Sequence, residues 1–163
     1  MKSTEDAKVL ALIAAAPELG TPDDTDRFLN AMPVADLASL WAVLQRLSRR
    51  DQTSGNWAAK LYFDHLPHRE PDRALDLALE VLRSESDKPT VMQLNDKFMM
   101  SLMYAHGARV IDRIEAEAAD NARLRWLLGG IHFGPAEALQ DRIADIADSK
   151  GWRRDENARR KPV

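Results

Sequence analysis

The chain has 163 residues, 45% of them hydrophobic and 30% charged, which is enough apolar material for one domain with a real core and excludes gross disorder. It contains no cysteine, so disulfides, thiolate nucleophiles and cysteine-ligated zinc are excluded, in keeping with a reducing, cytoplasmic setting. Net charge is −3, but residues 151–163 set five basic residues against two acids, a surplus of +3 that leaves −6 on residues 1–150; such an acidic body argues against a protein built mainly to grip phosphate backbones.

In chain order, "VLALIAAAPELG" has the apolar run of a short signal peptide, but Lys2 is outnumbered by Glu5 and Asp6, so the segment reads as a first helix. No apolar run approaches the roughly 20 residues of a membrane span. "ELGTPDDTD" reads as a loop. "PVADLASLWAVLQRLS" is the clearest helix. Pro33 suits a first turn, and Val34, Leu37, Leu40, Trp41, Leu44 and Leu47 make one stripe. "SGN" reads as a polar connection, and "NWAAKLYFDHL" as a helix from Asn56 to Leu66 that stops before Pro67. A helix opens at Pro71 in "PDRALDLALEVLRS", with Leu75, Ala78, Leu79 and Leu82 inward. After the polar "SESDKP", the segment "TVMQLNDKFMMSLMYAHG" predicts a helix capped at Gly107. Val110, Ile111, Ile114 and Ala118 form the next buried stripe, with the charges between them on a solvated face. Asp120 or Asn121 caps "NARLRWLL", which Gly129 and Gly130 end. A last helix opens at Pro135 with Leu139, Ile143 and Ile146 inward, and "GWRRDENARRKPV" reads as a flexible basic tail.

The expected fold is therefore all-α: about eight or nine short antiparallel helices over residues 1–150 and a tail at 151–163. A shift of 38 residues lays Pro33, Leu37, Trp41 and Leu44 over Pro71, Leu75, Leu79 and Leu82. A further 36 carries Leu75, Ala78 and Leu82 to Ile111, Ile114 and Ala118. That period suits a stacked array of helical hairpins, with an irregular bundle as the alternative.

Little chemistry is written in the chain. His65 and His68 stand beside Asp64 and Glu70 as the only metal-ligand candidates, but Pro67 interrupts the helix that would align them, and no H-E-x-x-H is present. His106 and His132 are candidate acid–base groups, although a helix C-terminus favours a histidine without any catalysis. G-x-S-x-G, G-x-G-x-x-G and P-loop patterns are absent, so no catalytic residue and no cofactor is assigned. Candidate partner-binding residues are Met99 and Met103, four apart and able to form a ridge, with Asp112, Glu115, Trp126 and His132.

Five stretches carry a resemblance: Trp57; "RALDLALEVL" at 73–82; His106-Gly107; "VIDRIEAEA" at 110–118; and "RLRWLLGGI" at 123–131. Over residues 57–147 the chain resembles an uncharacterised bacterial family of small helical domains. It departs from that family's usual tryptophan after the paired glycines, having Ile131-His132-Phe133 there. The resemblance implies a helical fold and a bacterial origin, and no catalytic residue. The functional expectation is a non-enzymatic protein-interaction module, such as an immunity or inhibitor protein or a regulatory partner. The alternatives are a small carboxylate/histidine enzyme, with or without a metal, and a nucleic-acid accessory that uses Arg153, Arg154, Arg159, Arg160 and Lys161.

Overall fold

A computed structural model describes residues 11, 22–47, 54–131 and 137–160. The first-helix segment apart from residue 11, the helix entry at Pro135, His132 and Lys161 lie outside the described residues. Among the described residues the fold is all-α, in the order α1 (Pro22–Asn30), α2 (Val34–Arg46), α3 (Ser54–Arg69), α4 (Pro71–Ser84), α5 (Lys88–Gln93), a π-helical turn (Leu94–Met99), α6 (Met100–Asp120), α7 (Ala122–Leu128), α8 (Glu137–Ile146) and α9 (Ser149–Arg160).

The apolar stripes do what their spacing demands. Leu37, Leu40, Trp41 and Leu44 of α2 meet Leu75, Ala78 and Leu82 of α4, and Val110, Ile111, Ile114 and Ala118 of α6 close the same core. Val34, Leu47, Leu79, Leu139 and Ile146 sit at its edge, partly buried. No described helix is long and apolar enough to cross a membrane.

Several boundaries differ from those predicted. The "SGN" segment opens α3, and α3 runs through Pro67 to Arg69. Proline removes one backbone donor, but only one turn remains after it. Glu70 N still donates to Leu66 O at 2.9 Å, and Pro67 is buried. The chain breaks instead at Glu70 (φ −135°, ψ 74°), where Pro71 imposes the same pre-proline restriction. Gly107 does not cap a helix. The path continues from the π turn into α6 with a bend at His106 (φ −138°, ψ 20°), and no described glycine has positive φ. The second half of "ELGTPDDTD" belongs to α1, and most of the expected flexible tail is α9, whose Trp152 is buried.

The two bends lie together. His106 Nε2 is 2.8 Å from the carbonyl oxygen of His68, at the C-terminal end of α3. Beyond the bend, Arg109 pairs with Asp72 and Arg113 with Asp76, both at 2.5 Å, which fixes α6 parallel to α4 with an offset of 37 residues. This offset of 37 differs by one residue from the 36-residue shift that lays the apolar stripe of α4 over that of α6.

Candidate functional site

The charged segment 106–126 is built largely for intramolecular contact. Arg142 of α8 reaches back to Glu115 (Nε–Oε1 2.7 Å) and Asp112 (2.6 Å). That guanidinium is the leading reason the Glu115 carboxyl lies below its ordinary range. Arg123 crosses to the carbonyls of Leu82 and Glu85, and Arg125 folds back on those of Ala118 and Ala119. Arg73 does the same for Leu29 and Met32 at the end of α1. Each arginine satisfies carbonyls that a helix end leaves open.

The paired glycines at 129–130 have a steric role. A Cβ at Gly130 would overlap the Trp152 ring and the Asn95 amide, and one at Gly129 would overlap the backbone of Asp148. Asn95, buried in the π turn, donates to Leu127 O at 2.6 Å, and Asp148 caps α9 by accepting from Gly151 N at 2.9 Å. The glycines are the seat on which α9 docks.

Most of the predicted partner-binding residues are therefore accounted for by the fold. Met99 and Met103 are buried in the core, so they form no surface ridge; the π turn rotates Met99 inward beside Phe98. Trp126 is mostly buried, stacks on Trp152 with centroids 5.0 Å apart, and donates from Nε1 to Asp155 at 3.1 Å. Asp112 and Glu115 hold Arg142. His132 is outside the described residues. His65 and His68 do not converge on a metal: His65 lies against Arg69, and no group of three or more donors among the described residues could hold an ion.

What the fold leaves open is a cleft of about 410 Å³ between α3 and the π turn with the start of α6. Its apolar floor is Trp41, Phe63 and Phe98, all nearly buried. Lys60 and Asp64 rise from α3, and Asp96 and Lys97 face them from the π turn, with Gln45, Gln93 and Ser101 between. Insertions of this kind into a helix often mark functional positions. Here the turn presents Asp96 and Lys97 outward while Leu94, Asn95, Phe98 and Met99 remain buried.

The two large hydrophobic residues exposed among the described ones are Trp57, at 57%, and Tyr104, at 72%. Trp57 precedes Lys60 by three positions and Asp64 by seven, so it shares their helix face. Tyr104 follows Ser101 by three and shares its face in α6. Each ring therefore shares a helix face with residues that line the cleft, without lining it itself.

Residues 45–151 match the model of a family of unknown function (DUF6869), and the chain belongs to that family. The match takes in the five motif stretches, the lining of the cleft except Trp41, and Gly129-Gly130, and it stops one residue before Trp152. No curated protein and no solved structure gives a significant match.

Proposed function

We propose that this chain is a non-enzymatic interaction module that grips a segment of a partner polypeptide along the cleft between α3 and α6. One observation carries the reading: exposed Trp57 and Tyr104 stand on the same helix faces as the wall residues of a cleft with an aromatic floor and charged walls. Burying an exposed tryptophan and tyrosine yields much of the energy of a typical interface, and such residues concentrate its binding hot spots. The walls balance Lys60 and Lys97 against Asp64 and Asp96, so selection works by the pattern of charge along the bound segment. A bacterial regulatory or inhibitory role is the concrete form of this module. A strongly basic target, suggested by the acidic body, gains no support from a cleft with balanced charge.

The test is a comparison of captured partners from native cells, using tagged wild type and a Trp57→Ala/Tyr104→Ala variant. A stoichiometric protein held by the wild type and lost by the variant supports the module. A partner held equally by both places binding elsewhere and overturns the assignment of the cleft.

A further inference from the structure

We propose that a second hollow, between the α4–α5 connection, α7 and α9, binds a phosphate monoester. It holds about 350 Å³ and is lined by Ser86, Lys88, Arg123, Trp126, Arg154 and Asp155 among others. Three cations face a single carboxylate. Asp155 accepts from Lys88 Nζ at 2.8 Å, Arg154 Nε at 3.2 Å and Trp126 Nε1 at 3.1 Å. Arg123 spends its described bonds on two neutral carbonyls, so its charge is not cancelled there. The acids flanking Ser86 are committed away from the hollow: Glu85 binds the Arg46 guanidinium and the Asp87 N–H, and Asp87 caps α5 through Thr90.

The lining therefore carries a surplus of two positive charges. A carboxylate brings one negative charge, whereas a phosphate monoester carries about −1.5 to −2 near neutral pH and matches the surplus. Lys88 and Arg154 are largely exposed and keep donors unspent, three being available on an ammonium and five on a guanidinium. Lys88 Nζ also lies 5.9 Å from the Trp126 ring centroid, which holds it over the hollow's aromatic wall. The volume lies at the low end of small-ligand sites, about 300–1,000 Å³, so there is room for an organic body beyond the phosphate. That body belongs either to a free metabolite or to a phosphorylated side chain; the recognised group is the same.

The experiment titrates the isotopically labelled full-length chain with phenyl phosphate and follows the Trp126 indole N–H resonance, with benzoate as the monoanionic control. A saturable shift is expected for phenyl phosphate, about tenfold weaker for benzoate and about tenfold weaker in Arg154→Ala and in Lys88→Ala. Asp155→Asn removes the competing carboxylate and is expected to tighten binding, which a purely structural Asp155 would not do. Affinity should fall below about pH 6, where the phosphate takes up its second proton. No saturable shift, equal affinity for benzoate, or an Arg154→Ala chain that binds as tightly as wild type overturns the proposal. Parallel titrations with adenosine monophosphate and a phosphoserine peptide separate the sources. Tighter binding in either supports the site, the first assigning it to a free metabolite and the second to a phosphorylated protein.

Discussion

Gly130 shows how one residue position can decide a tertiary contact. It has no special dihedral angle; its missing side chain is what the Trp152 ring occupies. Gly130→Ala is expected to destabilise the chain by about 1–3 kcal/mol, the usual range for overpacking, in a thermal or urea melt. A neutral effect would mean that α9 does not pack as described. The sequence marks Gly129-Gly130 as a helix stop, which it is, but a stop signal cannot say what lands on it. The partner, Trp152, lies 22 positions downstream in a segment whose charge reads as solvent-loving. A second residue-scale expectation concerns Arg142. Its bond to Glu115 holds that carboxyl below the ordinary value, so the folded chain gives up the proton more readily than the unfolded one. Stability from this pair is complete above the unfolded pKa, about 4.3, and is lost as pH falls through the folded value. The stability gap between wild type and Arg142→Ala should therefore be constant at neutral pH and narrow below about pH 4. A gap that widens in acid would contradict the pairing.

Among elements, α9 departs most from its sequence pattern. Five basic residues in thirteen disguise a helix anchored by one aromatic side chain, which docks on the π turn and the end of α7. Trp152→Ala should cost about 3–5 kcal/mol if α9 unfolds with the core, and should raise amide exchange across 149–160 first. Unchanged protection there would show that the anchor is elsewhere. The bends at Glu70 and His106 show a different limit. Proline and glycine at 67 and 107 looked like breaks, yet the breaks fall three residues after the first and one before the second. Backbone punctuation marks a neighbourhood, and packing of α6 against α3 and α4 chooses the residue. The apolar stripes of α2, α4 and α6 needed no such help, because their burial depends only on helical period.

For the molecule as a whole, the core stripes and the family motifs were legible because they recur at regular spacing. The cleft was not, because it joins residues more than thirty positions apart from α3 and the π turn, each ordinary in its own helix. Trp57 carried a signal only as a motif residue, and Tyr104 was hidden among the methionines. Since both rings are exposed, Trp57→Ala/Tyr104→Ala should leave stability within about 0.5 kcal/mol of wild type, as surface changes do. A partner seated in the cleft is tested most directly by photocrosslinking in native cells, with the reactive side chain placed at Tyr104 in one variant and at exposed Ala144 of α8 in another. A discrete adduct with a single protein from position 104, and none from 144, is the expected result. Adducts from both positions alike, or from 144 alone, would contradict a partner seated in the cleft between α3 and α6.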